Sequence, residues 1–344
     1  MSKDKMAIEQ ARARLMDMAS TDPTVAEAAQ RAWAQEVGDV VRKGIFDEDT
    51  IAGIFKKEVL GPGVEARYYT DLVKPGEEDN FVAYTYQNQN RIPERRVEAD
   101  EFTIPTFKIA NSIDWDLDIA SDARFDMVSR AVDIYKMGFV KKMNYDGWTT
   151  LLAAAVERGL YIYASTQAGN PFTGRTHVGT ATLGGEFTKE LVSRMIINMI
   201  RGAGGNSVKT QLTDLYLSLE AVEDIRAWGA SDLDDVTRRE ILMSNELGMA
   251  NLYGVSLHPM HEFGIGQDYH TIINSLGGSL PSGTLEWCVG LNLNADMSFV
   301  MPVRKELTTR DAPELYRQER FGLYGTMRYG TAVLDSRNII LGAM

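Results

Sequence analysis

The sequence predicts an α+β protein in which one long helix separates strand-rich segments from an α/β-like block. Three observations carry this. From Asp122, apolar residues recur at steps of three and four (Phe125, Val128, Val132, Tyr135, Phe139 and Met143), the longest periodic run in the chain. That spacing describes a helix with one buried face. Before it, "SIDWDLDIA" alternates apolar and polar residues, the period-two pattern of a half-buried strand. After it, "FTKELVSRMIINMIRG", "TDLYLS" and "SLEAVEDIRAWG" read as helix, strand and helix.

The elements follow in order. Residues 6–19 place Ile8, Ala11, Leu15 and Met18 at helical spacing. "TDPT" restarts a helix with Asp22 as N-cap and Pro23 in the first turn, and Gly44 ends it. "DEDTIAGIFKKEVL" reads as a shorter helix stopping at Gly61-Pro62-Gly63. This helical arm, 1–61, has too few bulky apolar residues to fold alone, so it is expected to pack on something else. From 64, "VEARYYTDLV" and "NFVAYTYQ" read as strands around "KPGEED", where Pro75-Gly76 suits a type II turn. "NQNRIPERR" is a polar connection before "VEADEFTIPTFKIANSIDWDLDIA" resumes extended structure. An isolated hairpin is marginal in water, so the region 62–110 must find a partner surface in this chain or another.

The aspartates of "SIDWDLDIASDARFD" imitate the first half of a calcium loop, with Asp114, Asp116 and Asp118 at alternate positions. Such a loop needs Gly sixth and Glu twelfth, to turn the chain and grip the ion. Ile119 and Phe125 stand there instead. The acids are better read as the wet side of a strand. The helix that follows, continuous to about 157, would be roughly 50 Å long at ~1.5 Å per residue. Trp148, Leu151, Leu152 and Ala155 are read as extending its buried face, with Gly147 the place for a bend. "STQAGNPFTGRTHVGTATLGG", 165–185, is the preferred domain boundary. A further helix is expected over about 234–248. From "DMSFVMPV" to "GTAVLDSRNIILGAM" the chain returns to strands, expected to pair with those of 102–119.

Composition narrows the function. With 344 residues, 44% hydrophobic and 24% charged, the chain is an ordinary globular one large enough for two domains. Its net charge of −12 argues against a basic surface that wraps nucleic acid, though not against lying near it. Cys288 is the only cysteine, which excludes an intrachain disulfide and a Cys-based zinc site. "MSKDKMAIEQARARLMDM" lacks the apolar run of a signal peptide, and no apolar stretch reaches about 18 residues. A soluble intracellular product is the expectation.

Candidate chemistry is thin. His258, His261 and His270 are three of four histidines and lie close in sequence, and imidazoles suit zinc. Their spacing is not HExxH, and "HPMHEFGIGQDYH" reads as a polar, Gly-containing loop. In "RGAGGNS" the glycines follow a helix and precede a strand, the wrong polarity for a phosphate cradle and the right one for a helix C-cap. Cys288, in "LEWCVG", reads as a small core residue. No Gly-x-Ser-x-Gly elbow appears. No enzyme, metal or cofactor is expected.

The order of elements adds what single motifs do not. Helical arm, polar hairpin, acidic alternating strand, spine helix, α/β block and returning strands together resemble the major capsid protein family of tailed bacteriophages, the Hong Kong 97-like fold. The strongest local resemblance is "EFTIPTFKIANSIDWDLDIASDARFDMVSRAVDIYKMGFVKKMNYDGW". "DLYLSLEAVEDIRAW" resembles the family's axial-domain strand and helix, and "RYGTAVLDSRNIILGAM" its closing strands. The resemblance implies an extended loop at 62–110, a peripheral domain at 111–186 and 297–344, and an axial domain at 187–296. It implies hexamers and pentamers of an icosahedral virion head enclosing double-stranded DNA. A separate scaffolding protein and a portal would be partners, and the family admits a decoration protein; no membrane is involved. Lys74, Glu77, Glu78, Arg91, Glu94, Arg95 and Arg96 of the loop would contact neighbouring subunits. Some relatives crosslink a loop lysine, for which Lys74 is the donor position here, with no identifiable acceptor. Many relatives carry a built-in scaffolding segment of about a hundred residues. Only some 60 residues precede the loop here, so either a separate scaffold is used or the chain is already trimmed, and the initial Met favours the first. An encapsulin-type nanocompartment shares the fold, and a soluble metal enzyme built on His258, His261 and His270 is the other class of alternative.

Overall fold

The computed structural model describes residues 25, 28–30, 32, 50–61, 63–69, 101–116, 125–158, 161–163, 187–201, 210–228, 251–276, 286–295 and 297–344. Their elements run α1 (Thr50–Ile54), β1 (Lys56–Val59), β2 (Arg67–Tyr69), β3 (Glu101–Thr103), β4 (Phe107–Asp116) and α2 (Phe125–Arg158). Then come β5 (Tyr161–Tyr163), α3 (Lys189–Arg201), β6 (Asp214–Leu217), α4 (Leu219–Ala227), β7 (Asn251–Leu252) and β8 (Val255–Pro259). The chain closes with α5 (Asp268–Ser275), β9 (Trp287–Leu291), β10 (Phe299–Asp311), β11 (Arg320–Tyr329), β12 (Ala332–Val333) and β13 (Ile339–Ala343). It divides into two compact units. One gathers Met1–Tyr68, Thr103–Gly147 and Val300–Ala332; the other gathers Tyr69–Phe102, Trp148–Phe299 and Val333–Met344.

The first unit is a sheet with a helix on one face. Its strand order is β1-β10-β11-β4, with β12 also pairing β10. β4 and β11 pair antiparallel along their whole length, from Phe107↔Tyr329 to Asp116↔Arg320. Two aromatic pairs sit directly opposite across this ladder: Phe107 with Tyr329, rings 5.0 Å apart, and Trp115 with Phe321, 5.1 Å apart. Such cross-strand pairs pin register, because a one-residue slip would turn the buried Trp115, Phe321 and Tyr329 out of the core. The α2 side chains Tyr135, Phe139 and Met143 are buried in this unit. The Tyr135 hydroxyl sits so close over Gly325 that a Cβ there would lie 1.8 Å away, so that strand position must be glycine. Asn111 of β4 donates its amide to the Tyr135 carbonyl at 3.1 Å.

The alternating aspartates fall as expected on the strand's wet side: Asp114 and Asp116 are exposed while Trp115 between them is buried. The arm needs a correction. Among the described residues of "DEDTIAGIFKKEVL" the helix is confined to Thr50–Ile54, and Lys56–Val59 becomes a strand parallel to β10. Five residues containing Gly53 make a weak helix, and the open β10 edge offers the next four a ladder of backbone hydrogen bonds.

The second unit holds a six-stranded sheet of order β5-β13-β9-β6-β8-β7. Helix α3 lays Leu191, Val192, Met195 and Met199 into a core shared with Leu215, Leu257, Cys288 and Ile340. Gly290 and Gly342 lie under this helix, where a Cβ would approach Met195 to 3.0 and 2.9 Å. Ser218 caps α4 by accepting from the Ala221 amide at 3.1 Å. The last turns of α2 bury Trp148 against Tyr216, Phe263 and Tyr269, with ring centroids 5.1, 5.3 and 5.4 Å away. Arg158 closes the helix by donating to the Arg337 carbonyl at 2.8 Å and to that of Ile339.

Two expectations are corrected here. Trp148, Leu151, Leu152 and Ala155 do not extend the Tyr135–Phe139–Met143 face. At about 100° per residue they fall on the opposite side of the helix, which runs through Gly147 without a break. The final strand does not pair with 102–119 either; β11 does, but β13 lies between β5 and β9, buried along its whole length. The unbroken apolar run "IILGA" suits a central strand covered on both faces.

Candidate assembly surfaces

Lys74, Glu77, Glu78, Arg91, Glu94, Arg95 and Arg96 lie outside the described residues, as do "NFVAYTYQ", the connector 165–185, the helix near 234–248 and the glycines of "RGAGGNS". The strands that flank residues 70–100 are described. β2 and β3 form a two-stranded sheet, so residues 70–100 begin and end on neighbouring strands. These strands are tied down within the first unit. Ile104 donates its amide to the Ala66 carbonyl at 2.8 Å, and the Arg304 guanidinium reaches the Val64 carbonyl at 3.1 Å. The Tyr68 hydroxyl donates to Glu58 at 2.6 Å. Burial, and then this bond and the Glu58 charge, push the Tyr68 phenol above its ordinary range, so it stays a donor. Tyr69, next in β2, is two-thirds exposed.

The histidines do not form a ligand set; among the described residues no group of three His, Cys, Asp or Glu side chains is placed to hold a metal. His258 Nε2 meets Asp214 at 2.8 Å, and its ring stacks on Tyr216 at 4.8 Å. His261 is highly exposed beside Glu262. His270 belongs to helix α5 and not to the loop expected for it, because the helix starts at Asp268. It is buried, and burial lowers its pKa. Glu286 is buried too and accepts from Ser218 at 2.8 Å. Burial raises its pKa; the Ser218 bond opposes this, and the charges of Glu220 and Asp224 add to it. Cys288 is enclosed beside the Met195 sulfur, 3.8 Å away, and burial pushes its thiol up to about 12. Glu286 supports the Ser218 cap of α4, and His270 and Cys288 are buried.

The features that sequence reasoning missed are apolar side chains left in the open. Ile134 and Met137 stand exposed on α2, and Tyr253 and Ile265 on turns of the second unit. Tyr253 holds a positive φ of 54° ahead of Gly254, a strained place for an aromatic side chain. The "YG" between two short strands signals the tight turn, but nothing in the sequence signals the exposure.

No protein-family model matches the chain, and no curated protein matches it. Solved structures do. The chain is similar to the structure described as Microbacterium phage Oxtober96, at a TM-score of 0.54 and 11% identity over 86% of this chain and 90% of that one. It is similar to that of Mycobacterium phage Bobi at 0.50 and 12%, over 86% and 89%. A structure described as the asymmetric unit of bacteriophage PhiM1 mature capsid aligns at 0.49 and 13%, over 86% and 87%. The class this defines is one of fold alone: the chain is an α+β protein that shares its fold with these tailed-phage structures over most of its length. Among the described residues no helix is long and apolar enough to cross a membrane.

Proposed function

We propose that this chain is the major capsid protein of a tailed phage, which assembles into hexamers and pentamers of an icosahedral head around double-stranded DNA. The observation that carries the reading is a fold held in common with phage structures over most of both chains. The pairing of β2 with β3 supports it, because residues 70–100 leave and rejoin the described chain on neighbouring strands, as an inserted loop would. On this reading 62–110 is the extended loop, 111–186 with 297–344 the peripheral domain, and 187–296 the axial domain. Lys74, Glu77, Glu78, Arg91, Glu94, Arg95 and Arg96 then contact a neighbouring subunit. Each exposed ion pair is worth only about 0–1 kcal/mol, but a closed shell repeats it in every subunit. Scaffold and portal proteins are the further partners, and the role is structural.

The test is assembly. Purified protein, with its scaffold supplied, should sediment as capsomers and shells and show closed particles by negative-stain microscopy. A folded monomer at every concentration tested would overturn the reading, and a co-purifying cargo enzyme would turn it toward a nanocompartment.

A further inference from the structure

The five-stranded sheet of the first unit has an outward face that the fold leaves open. Ile109 and Trp115 of β4 and Leu323 and Met327 of β11 are buried, so the alternate positions point away from the core. Three of those positions form one row: Lys108 on β4 lies opposite Arg328 on β11, which lies opposite Lys305 on β10. All three are exposed. Arg310, also exposed, stands farther along β10 opposite Tyr324. At about 4.8 Å between strands and ~3.3 Å per residue, the four cations mark out a patch of roughly 10 by 13 Å.

Their polar partners are neutral. Arg328 donates to the Thr106 hydroxyl at 3.1 Å and to its carbonyl at 3.5 Å, and Lys305 donates to the Thr326 hydroxyl at 3.1 Å. Asp114, toward the other end of β4, already meets Arg320 at 3.3 Å, and Glu306, next to Lys305 on β10, is held by Lys57 at 2.7 Å. Among the described residues no carboxylate comes within ion-pair distance of Lys108, Lys305, Arg310 or Arg328. Like charges directly opposite on neighbouring strands repel, and a polyanion laid across them relieves that repulsion. The concentration of cations is the more telling in a chain of net charge −12.

We propose that this face binds the phosphate backbone of double-stranded DNA without reading its sequence; the proposal rests on the capsid reading for the presence of DNA. A duplex offers such a row of cations one charge per ~1.7 Å of axis. The Thr326 hydroxyl, which accepts from Lys305, lies among the cations and supplies a neutral donor to a phosphate oxygen.

The experiment is fluorescence anisotropy with a labelled mixed-sequence duplex and full-length, unassembled subunits, over a range of salt concentrations. Four phosphate contacts give log K against log salt a slope of about −3.6. The variant Lys108→Gln, Lys305→Gln, Arg310→Gln and Arg328→Gln should bind at least about ten-fold more weakly and lose most of that slope. Swapping Lys for Arg and Arg for Lys at the four positions should preserve it. Glutamine at Arg130, Lys141 and Arg201, which are exposed elsewhere, should leave binding unchanged. Circular dichroism of each variant reports folding. No binding by the wild type, an unchanged slope in the four-glutamine variant, or stronger binding of an acidic peptide with the sequence of residues 75–80 overturns the proposal. Shell formation is scored separately: shells without DNA binding sink only this inference, and DNA binding without shells sinks only the capsid reading.

Discussion

Gly147 tests whether packing or helix propensity governs the middle of α2. By propensity alone, Gly147→Ala in a helix interior should stabilise by about 1 kcal/mol. The structure predicts otherwise. A Cβ at Gly147 would lie 2.7, 2.7 and 2.8 Å from three carbons of the Ile51 side chain. Ile51 is fully buried and cannot swing clear, because α1 is held to α2 through Thr50 and the Ile51 amide on Asn144, at 3.0 and 3.3 Å. Forcing a methyl into such a site costs about 1–3 kcal/mol, so the net effect is a loss of about 0–2 kcal/mol. In an Ile51→Ala background the obstructing carbons are gone. That substitution costs about 2–5 kcal/mol by itself. Adding Gly147→Ala to it should then recover about 1 kcal/mol, so the sign of the glycine substitution reverses between backgrounds. Urea unfolding of unassembled subunits, followed by circular dichroism, measures all four corners of the cycle. An alanine that stabilises equally in both backgrounds would refute the reasoning.

Other outcomes follow from the same structure. Replacing residues 70–100 with a Gly-Ser turn between Tyr69 and Glu101 should leave the subunit folded by circular dichroism but abolish shells in sedimentation; an unfolded subunit would place the loop in its own core, and persistent shells would remove it from assembly. His270 has its folded pKa below the unfolded value of about 6.5, so its contribution is whole above that pH and shrinks as pH falls through it. The fall in melting temperature between neutral and mildly acidic pH should therefore be smaller in His270→Gln than in the wild type, and equal falls would remove the histidine from the account. Cys288, buried with its thiol pushed up to about 12, should resist a thiol reagent in the native protein and react with one equivalent in urea. Rapid native labelling would contradict that burial. Glutamine at His258, His261 and His270 together should leave shell assembly intact, whereas stoichiometric zinc that this variant loses would establish a metal site.

Sequence by itself determined the local elements wherever their periodicity was strong. The alternation around Trp115 gave a strand with Asp114 and Asp116 in water, and the three-and-four spacing gave a 34-residue helix. Ser218 before an amphipathic run marked the start of α4, and Cys288 on an apolar run gave a core strand. These signals are local because hydrogen bonding and side-chain direction repeat within one element. Tertiary structure decided everything that depends on what an element meets. Lys56–Val59 is a strand because β10 offers it an edge, although its own residues suit a helix. β13 joins β9 because burial on both faces is worth more to "IILGA" than the half-covered place beside β4. The change of buried face at Gly147 could not be read either, since a 3.6-residue period locates a stripe but not the surface that covers it. The cation row lies in the same category. Lys108, Lys305 and Arg328 are scattered through two hundred residues of sequence, and strand register alone sets them side by side.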